Sequence, residues 1–247
     1  MTRMLASVAT LEEVEQALSY GADFIDLKDP ARGALGAWPL NAIPPAVRLV
    51  GGRRPVSATI GDLPIRSMPV AEAAERTAGT GVDIVKIGFF SGGDVPLCIR
   101  QLGRLAAGGV KLVAVLFADQ GPGPDLVPAL AAAGFHGVML DTADKRAGGL
   151  RDHLDDDELR RFVALARDAG LLTGLAGSLR VRDVPPLAAL EPDYMGFRGA
   201  LCRGAERTNG LDPMAFQVIR DALSRRATAA AGAQWAAQGA AAGTLGK

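Results

Sequence analysis

The chain of 247 residues carries 27 basic side chains, of which only five are lysines: Lys28, Lys86, Lys111, Lys145 and Lys247. Arginine is therefore the default cation here, and it serves wherever a fixed charge is enough. A lysine offers something different, an amine that can lose its proton. Two of the five stand near aspartates, in Ile25-Asp-Leu-Lys-Asp29 and in Val138-Met-Leu-Asp141 followed by Lys145, and a third lies within Ile84-Val-Lys-Ile-Gly88. Burial and mutual repulsion bring lysine amines down from about 10.4 toward neutrality, and a neutral amine attacks a carbonyl to form an iminium ion. Carboxylates beside it can then carry protons. Lys86 is the hardest to read as a surface charge, because it lies between β-branched residues where a lone ammonium is costly to bury.

These residues reach one another only if the right elements hold them. Short β-rich runs begin near Arg3, Asp23, Pro55, Asp83, Val110, Gly137, Leu171 and Tyr194, and helical patterns separate them. Thr10-Leu-Glu-Glu13 reads as a capping box, opening a helix with Leu11, Val14, Ala17 and Leu18 on its apolar face and Gly21 at its end. The acidic cluster Asp155 to Glu158 opens another, with Leu159, Phe162, Val163 and Ala166 inward; it is a helix N-terminus, not a metal site. A last helix starts at Asp212 and Pro213, with Met214, Val218, Ile219 and Ala222 inward. Eight strand and helix pairs in roughly 250 residues predict a single α/β domain, a (β/α)8 barrel over residues 1–226. A doubly wound open sheet is the alternative, but the first strand-to-helix turn, Ser7-Val-Ala-Thr10, lacks the glycine-rich dinucleotide fingerprint. Residues 227–247, in which 14 of 21 are Ala or Gly, read as a tail outside the barrel.

On a barrel strand alternate residues share a face, and polar residues at the C-terminal ends line the active site. That alternation turns Asp26, Lys28 and Lys86 inward and sets Asp141 and Lys145 at the same mouth. Small residues end the last two strands, in Ala176-Gly-Ser178 and Phe197-Arg-Gly-Ala200. The N–H groups of Gly177, Ser178, Gly199 and Ala200 are candidate phosphate ligands, and Arg198 is expected to aim its guanidinium into the mouth with them. His136 falls at the opposite rim and His153 in a loop, and both read as structural.

Composition excludes several other classes. Acidic and basic residues balance at 27 each, and no basic stretch is interleaved with aromatics, so neither nucleic acid nor an anionic membrane is an expected partner. No apolar run approaches the roughly 18 residues of a membrane span, and the start reads as a strand rather than a signal peptide. Two distant cysteines, Cys98 and Cys202, suit a reducing cytoplasm and supply no zinc spacing. A metal is not expected. Homo-oligomers remain open, since barrel helices carry apolar faces in any case.

The segments Asp26-Leu-Lys-Asp-Pro30, Gly33-Ala-Leu-Gly36, Ser57-Ala-Thr-Ile-Gly-Asp62, Val85-Lys-Ile-Gly88, Leu140-Asp-Thr-Ala143 with Lys145, Ala176-Gly-Ser178 and Phe197-Arg-Gly-Ala200 occur in order. Together they resemble the (5-formylfuran-3-yl)methyl phosphate synthase family. The resemblance implies a (β/α)8 lyase that condenses two molecules of glyceraldehyde 3-phosphate, losing phosphate and water, toward methanofuran or an analogue. It implies Lys28 as the Schiff-base residue, with Lys86, Lys145, Asp26 and Asp141 as partners and no cofactor. Two other readings use the same residues: a different Schiff-base aldolase acting on sugar phosphates, and a barrel that binds a sugar phosphate without catalysis.

Overall fold

The structure, a computed structural model, describes residues 1–120 and 123–224. Strands β1 (Arg3–Val8), β2 (Phe24–Leu27), β3 (Val56–Thr59), β4 (Ile84–Phe89), β5 (Leu112–Phe117), β6 (Gly137–Asp141), β7 (Leu172–Leu175) and β8 (Tyr194–Phe197) are all parallel to their neighbours and close in sequence order. The helices are α1 (Leu11–Ser19), α2 (Ile43–Val50), α3 (Ser67–Ala78), α4 (Val95–Ala107), α5 (Val127–Ala132), α6 (Leu150–His153), α7 (Asp156–Asp168), α8 (Val184–Ala188) and α9, described over 213–224. This is the closed (β/α)8 barrel expected from the spacing. The tail at 227–247 lies outside the described residues.

Strand alternation builds two apolar layers. Outward residues such as Ile25, Leu27, Val85, Ile87, Val138 and Leu140 join the helices in the main core. Inward residues Leu5, Phe24, Ile84, Val113, Met139 and Tyr194 fill the barrel as a second cluster. Gly174 makes room there, since a Cβ on it would come within 2.3 Å of Tyr194 Cζ. The polar inward positions lie toward the C-terminal ends of the strands, above this apolar filling.

Local signals set most helix ends. Asp155 accepts from the N–H groups of Asp157 and Glu158 while Glu158 accepts from Asp155 N–H at 2.8 Å, so the acidic cluster is the N-cap of α7. Thr10 Oγ1 caps α1 by accepting from Glu13 N–H at 3.1 Å. Other expectations require correction. Leu11 is exposed and Glu13 takes a buried position on α1, because its carboxylate has a partner inside. On α9, Met214 is 71% exposed and Val218 is exposed as well. Phe216 takes the seam instead, packing edge-on against Tyr20 at 5.5 Å between ring centroids, with Ile219, Ala222 and Leu223 beside it. His153 ends α6 and is not in a loop. Among the described residues no helix is long and apolar enough to cross a membrane.

Candidate active site

Asp26 is the centre of the lower half of the mouth. In the strand register it lies directly between Ser7 on β1 and Ser57 on β3. Both hydroxyls donate to it, Ser7 Oγ at 2.8 Å and Ser57 Oγ at 2.6 Å, and Lys86 Nζ from β4 donates at 3.0 Å. Burial pushes the Asp26 carboxyl up, but the Lys86 and Lys28 ammoniums and the Ser57 hydroxyl outweigh it and hold it below the ordinary range. Burial also lowers Lys86, with Lys28 adding to the effect and Asp26 opposing it.

Asp141, at the end of β6, organises the upper half. Its Oδ2 lies 3.6 Å from Lys28 Nζ, which approaches from the end of β2 across the barrel. Its Oδ1 accepts from Lys145 Nζ and from Thr142 N–H at 2.8 Å. Lys145 also reaches Thr142 Oγ1 at 3.3 Å. Although burial raises the Asp141 carboxyl, Lys145 and Lys28 together bring it down to about 2. Burial lowers Lys145, assisted by Lys28 and Arg207 and opposed by Asp141. The loop carrying Lys145 is pinned by Asp119, whose carboxylate accepts from Ala143 N–H at 2.8 Å and Asp144 N–H at 2.7 Å.

The structure thus brings Asp26, Lys28, Lys86, Asp141 and Lys145 into one buried cluster. Lys28 stands between two ion pairs, within electrostatic reach of both aspartates. Such a centre can hold an attacking amine beside ionised carboxylates while limiting the charge on neighbouring amines.

The turns after β7 and β8 also lie at this end. Gly177 has φ +105° and Ser178 φ +48°, so the chain reverses sharply there. A Cβ on Gly177 would sit 3.1 Å from the Thr142 backbone N, beside Asp141. Among the described residues the N–H groups of Gly177, Ser178, Gly199 and Ala200 have no protein acceptor. Arg198 is different, and its expected place in the mouth is corrected. Its guanidinium turns toward α1 and forms a two-pronged ion pair with buried Glu13. It further donates to the carbonyls of Arg207 at 2.7 Å, Ser7 at 3.2 Å and Asn209 at 3.1 Å. With every nitrogen engaged by the protein, Arg198 is a clamp between β1, α1 and the β8 loop.

Sequence reasoning did not assign Ser7, Asp119, Glu13 or Arg207. Ser7 had a usable signal, since it sits inward on β1 opposite Asp26 by simple alternation. Glu13 was hidden by its capping-box position. Asp119 and Arg207 lie in irregular loops without periodicity.

A closed parallel barrel with a buried lysine and carboxylate cluster at the C-terminal ends of its strands is a (β/α)8-barrel enzyme. The chain belongs to the 4-HFC-P synthase family, which matches residues 4–220. A protein of Methylorubrum extorquens, provisionally named as a (5-formylfuran-3-yl)methyl phosphate synthase, is 44% identical over 210 residues, covering 85% of this chain and 86% of that one. The (5-formylfuran-3-yl)methyl phosphate synthase of Methanosarcina barkeri is 34% identical over 223 residues, 85% of this chain and 94% of its own. That of Methanopyrus kandleri is 35% identical, with 84% and 92% covered. Among solved structures, 3-hexulose-6-phosphate synthase from Salmonella typhimurium aligns with a TM-score of 0.65 at 17% identity, covering 91% of this chain and 99% of that one. For 3-keto-L-gulonate-6-phosphate decarboxylase from Vibrio cholerae the values are 0.64, 13%, 91% and 98%. At these identities the likeness is one of fold.

Proposed function

We propose that the chain condenses two molecules of glyceraldehyde 3-phosphate through a Schiff base on Lys28, giving (5-formylfuran-3-yl)methyl phosphate with loss of phosphate and water. The observation that carries this reading is the approach of Lys28 Nζ to Asp141 Oδ2, 3.6 Å apart in the buried mouth. The Lys28 amine attacks the carbonyl of one triose phosphate, and loss of water leaves an iminium ion that acidifies the neighbouring carbon. Asp141 or Lys86 removes that proton, the resulting enamine expels its own β-phosphate, and the terminal carbon of the enol so formed adds to the central carbonyl of the second triose, isomerised to its ketone. Ring closure and loss of two waters then complete the furan, and hydrolysis of the imine releases the formyl group and Lys28.

The flanking groups have distinct tasks in this scheme. Asp26, bound by Ser7 and Ser57, fixes Lys86 beside the reacting carbon. Lys145 balances the Asp141 carboxylate and orients substrate hydroxyls. The N–H groups of Gly177, Ser178, Gly199 and Ala200 receive a phosphate. The scheme calls for neither metal nor organic cofactor, and its furan product is of the kind built into methanofuran or an analogue.

Borohydride reduction in the presence of glyceraldehyde 3-phosphate, followed by peptide mass spectrometry, tests the reading. The reduced triose adduct is expected on the peptide containing Lys28. Product formation without any trapped adduct, or an adduct confined to another lysine, would overturn the assignment.

A further inference from the structure

The loop after β8 holds two arginines with opposite surroundings. Arg198 has given its charge to Glu13 and its remaining N–H groups to backbone carbonyls. Arg207, whose own carbonyl accepts from Arg198 Nε, sends its side chain from the β8 loop across to the loop after β2. There Nη2 donates to Gly33 O at 2.9 Å. Among the described residues this is the only hydrogen bond of the Arg207 guanidinium, and no carboxylate forms an ion pair with it.

The acceptor that holds Arg207 is itself built into the site. Asp62, just beyond β3, accepts from Ala34 N–H at 2.8 Å and Leu35 N–H at 2.7 Å. Gly33 has φ +121°, and a Cβ there would lie 2.1 Å from Asp62 Oδ2, so no other residue lets Asp62 come so close. At the far end of the same loop Gly36 O accepts from Thr59 Oγ1 at 3.1 Å and from Asp29 N–H at 2.8 Å. Gly33 O is thereby presented at a fixed place, and one prong of the guanidinium is fixed with it.

Arg207 is half-buried and feels the charges of the catalytic cluster. Burial and Arg198 disfavour its protonated form while Asp141, Asp62 and Asp29 favour it, and Arg207 in turn disfavours protonated Lys145. A guanidinium with a single hydrogen bond and no direct ion-pair partner keeps its other donors open to a bound dianion, and its planar fork suits two phosphate oxygens. We infer that Arg207, oriented by Gly33 O and Asp62, is the residue by which the mouth selects phosphorylated over unphosphorylated trioses. This rests on the Schiff-base reading above for the identity of the substrate.

Two measurements on the full chain test it. In calorimetry with inorganic phosphate, Arg207→Ala is expected to weaken binding at least tenfold relative to the parent, as loss of a charge-assisted contact does. In borohydride trapping with glyceraldehyde 3-phosphate and with glyceraldehyde, the preference for the phosphorylated compound is expected to fall by a similar factor. Arg207→Gln, which retains a donor for Gly33 O but lacks the charge, should behave alike and covers the case where the alanine variant folds poorly. Asp62→Asn, which loosens the anchor and removes one carboxylate acting on Arg207 while keeping the guanidinium itself, is expected to lower the preference by a smaller factor. A phosphate affinity and a preference ratio both within twofold of the parent's would overturn the assignment. If the parent traps neither aldehyde, the Schiff-base reading fails; the calorimetric comparison then still decides for or against Arg207.

Discussion

Arg198 and Glu13 meet as a buried two-pronged ion pair, Nη2 lying 3.1 Å from Oε1 and Nη1 against Oε2, with both side chains less than a tenth exposed. The pair joins the last strand of the barrel to the first helix. Through Arg198 Nη1 it also holds Ser7 O, and the Ser7 hydroxyl is one of the groups that fix Asp26. The guanidinium that alternation sends toward the mouth is thus engaged by protein groups at every nitrogen.

Removal of one partner leaves the other charged and buried, which typically costs about 3–5 kcal/mol. Arg198→Ala and Glu13→Gln are each expected to lower the urea midpoint of unfolding. The double variant Glu13→Leu, Arg198→Met should lose clearly less than the sum of the single losses. Strictly additive losses would show that the two side chains do not depend on one another.

Replacing Lys28 by arginine keeps the positive charge but not the chemistry, because a guanidinium does not deprotonate near neutral pH. Turnover is expected to vanish and the borohydride adduct with it. Substantial residual activity in Lys28→Arg would move the Schiff base to Lys86 or Lys145.

The low value of Asp141, about 2 against an ordinary 3.8, has a defined consequence for acid stability. A depressed carboxylate contributes its full stabilisation above the ordinary value and loses it as pH falls toward 2. The contribution at stake is on the order of 2 kcal/mol, from 1.36 kcal/mol per unit. Lys86 and Lys145 act at the other end: their lowered values mean that the folded protein releases protons first, so their part in stability improves as pH rises toward 10.5. Urea unfolding of the parent and Asp141→Asn between pH 2 and 7 should show a gap that narrows toward pH 2. A gap independent of pH would contradict the ionic role of Asp141.

Activity is expected to persist after exhaustive treatment with a chelator. Among the described residues no three His, Cys, Asp or Glu side chains are grouped to hold a metal ion. Loss of turnover on chelation, restored by zinc or magnesium, would require the mechanism to be rewritten.

The barrel and the five-residue centre were legible in the sequence because both follow from local regularity. A period of two along β2, β4 and β6 is enough to send Asp26, Lys86 and Asp141 inward, and the succession of strands and helices is enough to bring their ends to one rim. Capping signals located α1 and α7 for the same reason, since a cap involves neighbours in the chain. Side-chain partners from distant segments were not legible. Arg198 lies 185 residues from Glu13, and only closure of the barrel between β8 and β1 makes them neighbours. The phase of α9 was settled likewise, by the ring of Tyr20 waiting for Phe216. Arg207 crosses to Gly33 over 174 residues, from one irregular loop to another. Strand periodicity states which face a residue occupies; which charge it meets there depends on the packed chain, because a long side chain beyond the strand end can turn to any partner that burial makes worth meeting.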